Sequence, residues 1–182
     1  MDEVKLAKDR QQALNRGELF LNQDFTDEMM ESMLYDLNRV ACDKNVDVIT
    51  IFINSNGGAT SALFPLVDWI ERCPKPVSTV VLGKAYSAGA MLLLAGSKGY
   101  RKANKRSFIL LHEVANCRGY TKASQAEEDA KHLKMQNAKM KQLIKDRTKM
   151  SKTQIALYMD SNKDISMDAK QALKYGIIDQ IL

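Results

Sequence analysis

Apolar residues along the chain fall into short β-branched runs alternating with longer helical patterns. "DVITIFINSNGG" (Asp47 to Gly58) reads as a buried strand that runs into a glycine turn. "TSALFPLVDWIERCP" follows as a helix stopped before Pro74, with Pro65 an interior residue that would kink it. "PVSTVVLG" (Pro76 to Gly83) predicts a second strand, followed by a helix beginning near Ser87. "RSFILLH" (Arg106 to His112) predicts a third strand. Upstream, "GELFLNQ" is a short strand and "FTDEMMESMLYDLNRVAC" a helix capped by Thr26. Downstream, Ser124 with Glu127, and Ser151 with Gln154, have the spacing of capping boxes that open a long and a short helix, the second ending near Met159. "SMDAKQALKYG" places Ser166 at a helix N-cap and Gly176 just past its C-terminus, and "IIDQIL" is a last strand. Strands alternating with helices predict an α/β fold with a largely parallel sheet. No repeat, low-complexity tract or linker divides the chain, so one domain over residues 1–182 is expected.

Composition narrows the class without changing this picture. A chain of 182 residues, 45% hydrophobic and 27% charged, is that of an ordinary globular protein long enough to bury a real core. The longest apolar run, Ala88 to Ala95, is far shorter than the ~20 residues of a membrane span, so no membrane partner is expected. The N-terminus is charged throughout and lacks the apolar segment of a secretory signal. Three cysteines, Cys42, Cys73 and Cys117, are odd in number and widely spaced, against both a disulfide framework and a zinc site. A reducing cytoplasm follows as the expected location. The net charge of +5 is concentrated: between Lys122 and Lys152 there are nine Lys/Arg against four Asp/Glu. That stretch carries apolar residues at helical spacing (Ala126, Ala130, Leu133, Met140, Leu143, Ile144) and no aromatic residue among its lysines. It therefore predicts an amphipathic helix with a solvated basic face and no nucleic-acid partner.

Four places could carry chemistry. Gly57 and Gly58 after a strand let backbone N–H groups turn toward a ligand, as an oxyanion hole requires, although a plain strand-to-helix turn would use the same glycines. Neither G-x-G-x-x-G nor a Walker A pattern is present. Ser87, in A-Y-S-A-G, stands where a strand turns into a helix. It fits either an N-cap or a nucleophile elbow that lacks the first glycine of G-x-S-x-G, with the Ala88 amide and the helix dipole aimed at an incoming carbonyl oxygen. Of the two histidines, His132 falls in the basic helix as a surface residue. His112 ends an apolar strand, where sites in parallel sheets collect. A carboxylate to orient it could come from Asp160 or Asp164 in "MDSNKDIS".

Taken together these segments resemble the ClpP family of serine peptidases. "INSNGG" is similar to that family's I-N-S-P-G-G, and "GKAYSAGAMLLLAG" to its G-x-A-A-S-M-G-A-F-L-L-x-A-G. "ILLHE" is similar to M-I-H-Q, and "DISMDAKQALKYGIIDQIL" to D-R-F-L-S-A-x-E-A-x-E-Y-G-L-V-D-x-I-L. The spacing from Gly58 through Ser87 to His112 is kept without gaps. The resemblance implies a crotonase/ClpP-like spiral of ββα units with a long protruding handle helix, in a handle region of about residues 113–150. It implies Ser87 as nucleophile, His112 as general base, and Asp164 as the orienting acid with Asp160 as the alternative. Gly58 and Ala88 would supply the oxyanion hole, with no metal or organic cofactor. The implied product is a serine endopeptidase acting on unfolded polypeptides inside a chamber of homo-oligomeric heptameric rings, single or stacked as a tetradecamer, with a Clp-type ATPase unfoldase as partner. The resemblance departs at Asn56, where the family has proline, at Val114, and along "VANCRGY". The short charged N-terminus leaves little room for axial docking loops. Rival readings are an ATPase-independent processing protease, for instance one that matures a capsid, and a catalytically silent crotonase-type assembly subunit. A third is a Ser–Lys peptidase using Lys84 or Lys98.

Overall fold

The computed structural model describes residues 3–115, 122–160 and 164–182. Its elements in chain order are α1 (Glu3–Asn15), β1 (Glu18–Leu21), α2 (Asp27–Cys42), β2 (Ile49–Ser55), α3 (Thr60–Arg72), β3 (Val77–Tyr86) and α4 (Ala88–Ala95). There follow β4 (Arg101–Ala103), β5 (Phe108–Leu111), α5 (Ala123–Arg147), α6 (Lys152–Met159), β6 (Ile165–Asp168), α7 (Ala169–Tyr175) and β7 (Gln180–Ile181). This is the mixed α/β architecture expected, and among the described strands every pairing is parallel except β5 with β6.

The strands run β1-β2-β3-β4-β7, with β5 and β6 branching from β3. The branch is made within one strand. Thr79–Val81 of β3 pair with β4, whereas Lys84–Tyr86 pair with β5, so the strand changes partner at Gly83. The Ser107 hydroxyl pins that change: it donates to the Val81 carbonyl at 3.0 Å and accepts from the Gly83 amide at 3.2 Å. Pattern reading ends this strand at Gly83; pairing with β5 carries it three residues further, directly into Ser87.

The core gathers around α4, whose eight residues AGAMLLLA are all buried. A helix apolar on every side has no solvent face and belongs in the interior. The alternating Ile49, Ile51 and Ile53 of β2 are fully buried, as are Leu63 and Leu66 of α3. Thr26 caps α2 by accepting from the Met29 amide, and Ser151 with Gln154 forms both bonds of a capping box on α6. Gly176 ends α7 in the left-handed conformation. Pro65 lies inside α3 without ending it.

Two local expectations need correction, and one helix forms where the sequence reading assigned no element. α5 begins at Ala123 with Lys122 at its N-cap and no side-chain cap, so Ser124 and Glu127 form no capping box. Ser166 lies in β6, opposite Leu110, and Asp168 caps α7 instead, its carboxylate accepting from the Gln171 amide at 2.8 Å. The charged N-terminal stretch forms a helix, α1, fastened by buried Ala13 and Leu14. Most of the segment "VANCRGY", with Cys117, lies outside the described residues, as does the stretch 161–163 between the two candidate acids. Among the described residues no helix is long and apolar enough to cross a membrane.

The long basic helix is present as α5, with Met140 and Ile144 buried near its C-terminal end and Met135 63% exposed further out. Several of its cations have intramolecular partners. Lys141 pairs with Asp160, Arg147 with Glu71 at 2.6 Å and Lys131 with Glu128 at 3.6 Å, while the Lys139 ammonium lies 5.6 Å from the Phe64 ring centre.

Candidate active site

Ser87 is the one non-glycine residue with positive φ among the described residues, at φ 52° and ψ −119°. A serine held there stores roughly 1–3 kcal/mol of backbone strain, which the surroundings must enforce. They do so from three sides. The Ser87 amide donates to the Leu110 carbonyl of β5 at 2.9 Å, and the Ser87 carbonyl accepts from Ala90 and Met91 in the first turn of α4. The third side is Gly57: a Cβ there would stand 2.6 Å from the Ser87 Cβ, 2.8 Å from the Tyr86 carbonyl oxygen and 3.0 Å from the Ala88 nitrogen. Only glycine lets the end of β2 lie this close to the elbow. Ser87 occupies the N-cap position but makes no side-chain capping bond, so its hydroxyl is not spent on the helix.

Gly58 follows at φ 139°, where a Cβ would collide with the backbone of Phe25 at 2.6 Å. The Phe25 amide donates to the Gly57 carbonyl, and the Ala59 amide to the Phe25 carbonyl, which fixes the turn. Among the described residues the Gly58 and Ala88 amides donate to no acceptor. Ala88 begins α4, where the first N–H groups of a helix have no partner within it.

Ser87, Gly58 and His112 line one cleft of about 690 Å³ with Asn56 and with Asp129, His132, Leu133, Gln136 and Met140 of α5. Ser87 and His112 are half-buried. His112 stands one residue beyond β5, whose antiparallel register with β6 pairs Leu111 with Ile165. That is the last pair of the ladder, so His112 and Asp164 each stand one residue beyond the paired ends of β5 and β6. Asp164 is exposed, and no hydrogen bond or ion pair joins it or the His112 ring to another described residue. Asp160 is the C-cap of α6 and is engaged by Lys141. Neither carboxylate lines the cleft.

The candidate lysines stand elsewhere. Lys84 donates to the Asn56 side-chain oxygen at 2.7 Å, and Lys98 lies beyond the far end of α4. Sequence reasoning treated His132 as a surface residue. It is exposed, yet it lines the same cleft as Ser87, a position signalled by the 129, 133, 136, 140 spacing of one helix face.

The structure thus brings Ser87, at a strand–turn–helix junction, and His112 to one cleft, and leaves both candidate carboxylates outside its lining. The family model for Clp protease matches residues 2–182. The chain belongs to the Clp protease family, a family of serine peptidases. It is 32% identical over 165 residues to an "ATP-dependent Clp protease proteolytic subunit 2" of Bacillus licheniformis, covering 90% of this chain and 85% of that one. A "proteolytic subunit 1" of Corynebacterium diphtheriae is 35% identical over 133 residues, 73% of this chain and 63% of that protein. The proteolytic subunit of Carsonella ruddii is 32% identical over 166 residues, 90% and 82% of the two chains. The α/β architecture is consistent with the fold of this family.

Proposed function

We propose that this chain, as one peptidase domain, hydrolyses peptide bonds in unfolded polypeptides through Ser87, His112 and Asp164. The Ser87 oxygen attacks the scissile carbonyl while His112 takes its proton. The same imidazole then returns the proton to the leaving amine, and water repeats the cycle on the acyl-enzyme. Asp164 holds the imidazole in the tautomer that faces serine. The Gly58 and Ala88 amides receive the tetrahedral oxyanion, and each such donor typically contributes about 3–4 kcal/mol to the transition state. The observation that carries this reading is the strained Ser87 backbone packed against Gly57, in a cleft shared with His112. Side-chain hydrogen bonds within such sites often tighten only when substrate is bound. No metal or organic cofactor enters the scheme.

Kinship extends the proposal to assembly. The relatives' names supply ATP dependence, so on this reading a cytoplasmic ring of heptamers, single or stacked as a pair, encloses the cleft and receives chains from a Clp-type ATPase unfoldase. The extended α5 is the element that would join rings.

Fluorophosphonate labelling with mass spectrometry of the modified peptide tests the chemistry. The expected result is modification at Ser87, abolished in His112→Ala, together with loss of peptide hydrolysis in Ser87→Ala. Substantial hydrolysis by Ser87→Ala would remove the nucleophile assignment.

A further inference from the structure

The glycine turn beside Ser87 is held by a side chain that the proposed chemistry does not name. Ser55, the last residue of β2, is 1% exposed, and its hydroxyl bridges two segments of the chain. It donates to the Gln23 carbonyl at 2.7 Å and accepts from the Gly57 amide at 3.1 Å. Both directions are fixed, because a carbonyl can only accept and an amide N–H only donate. The same residue lies against the first turn of α4, where a Cβ built on Gly89 would stand 3.5 Å from the Ser55 Cβ. In the sheet it pairs with Ala85, two residues before Ser87.

These contacts bear on one peptide plane. The Gly57 carbonyl and the Gly58 N–H belong to the same trans peptide, so they point in opposite directions. The Phe25 amide holds that carbonyl at 2.7 Å, which turns the Gly58 N–H away from Phe25. Ser55 anchors both sides of this contact: the chain at Gln23, two residues before Phe25, and the turn at the Gly57 amide. Without the hydroxyl, the Gly57 amide would lose its acceptor in a buried place, and two glycines would offer little steric resistance to rotation of the plane. The geometry points to Ser55 as a positioning residue that aims the Gly58 amide at the oxyanion without touching substrate. This deepens the peptidase reading and rests on it.

The rate of fluorophosphonate labelling at Ser87 reads the oxyanion hole, because the phosphonyl oxygen takes the place of the oxyanion. In full-length protein, Ser55→Ala should slow labelling about 10- to 100-fold, short of the loss on removing an oxyanion donor outright. The pH midpoint of labelling should stay at the parent's value, because His112 is not disturbed. Ser78→Ala is the control for a merely structural loss. Ser78 is also buried, toward the other end of β3, and its hydroxyl donates to the Tyr100 carbonyl at 3.1 Å. Its removal should leave the labelling rate within about twofold, as for a distant and independent site. Ser55→Cys fills nearly the same space with a weak donor and acceptor and should slow labelling about three- to tenfold. It keeps the test readable if Ser55→Ala fails to fold. Labelling at the parent's rate in a folded Ser55 variant, an equal loss in Ser78→Ala, or a shifted pH midpoint would overturn the inference. A parent protein that takes no label removes the peptidase reading and this inference with it; a labelled parent whose rate is indifferent to Ser55 removes this inference alone.

Discussion

The two ends of the buried helix α4 treat polar side chains in opposite ways. Beyond its C-terminal end, Asp179 accepts from the Gly99 and Arg101 amides at 2.8 and 3.1 Å, and from Arg101 Nε and Nη2 at 3.0 and 2.6 Å. Arg101 spends its remaining nitrogen on the Arg147 carbonyl, fastening the last turn of α5 to β4. At the N-terminal end, the Ser87 hydroxyl and the His112 ring have no hydrogen-bond partner among the described residues. The first corner is saturated, so its charges can only hold the fold. The second keeps its donors and acceptors free beside a cleft, at the expense of a strained serine backbone. Polar groups left open by an otherwise well-satisfied fold are where substrate has something to meet.

The sharpest way to break this comparison is to ask which carboxylate belongs to the open corner. Asp164→Asn should lower peptide turnover by roughly 10³- to 10⁴-fold, the scale of losing the group that sets a catalytic histidine's tautomer. Asp160→Asn should change turnover by less than about threefold, because its carboxylate is engaged by Lys141 at the end of α6. Steady-state kinetics of the two variants decide the matter, and a larger loss in Asp160→Asn would transfer the role.

How far this division was legible in the sequence differs by residue. Gly57, Ser87 and His112 are visible as candidates because each follows an apolar strand run, and strand ends in a parallel sheet converge. Asp164 and Asp160 share one short stretch, and the choice between them depends on the β5–β6 register. That register was hidden because "ISMD" has both a capping serine and the look of a helix leader. Asp168 three residues before the Gln171 amide wins the cap, and tertiary pairing with β5 makes Ser166 a strand residue. The Arg101–Asp179 pair joins residues far apart in the chain, with no local pattern to disclose it. His132 was read from its charged helical neighbours; its position depends on where the helix lies over the cleft.

The saturated corner makes its own prediction. Arg101 is 5% exposed and Asp179 partly buried, so Arg101→Met, which leaves the carboxylate held by two amides alone, should cost about 2–3 kcal/mol, the scale of hydrogen bonds to a charged group. For a domain of this size that is a fall in Tm of roughly 5–10 °C, measured by calorimetry. The pH dependence has a definite sign. Burial pushes the Asp179 carboxyl up, but hydrogen bonds and charge from Arg101, with the amides of Arg101 and Gly99, outweigh it and hold the group below its ordinary value. The unfolded chain therefore binds the proton more readily. The contribution is complete above the unfolded pKa of about 3.9 and is lost as pH falls through the lower folded value. In Arg101→Met only burial and the amides remain, so the gap between variant and parent should narrow on acidification. A gap that widens would show that the pair is not what holds this corner.

The smallest expected effect sharpens the contrast from the other side. Lys84 lies in the arm of β3 that leads into Ser87, and its ammonium donates to Asn56 on the cleft rim. Asn56 in turn lies 3.4 Å, through its amide nitrogen, from the Asp24 carboxylate. A lysine that served as the base for Ser87 would have to be neutral and pointed at the serine. This one acts as a donor to a neighbouring side chain, and a partly exposed bond of that kind is worth about 1 kcal/mol. Lys84→Met should accordingly leave fluorophosphonate labelling of Ser87 intact and lower peptide turnover no more than about fivefold, chiefly through KM as the Asn56 rim loosens. A loss of a hundredfold or more in kcat, with labelling abolished, would place the proton transfer on Lys84 and leave His112 as one more polar side chain at the end of a strand.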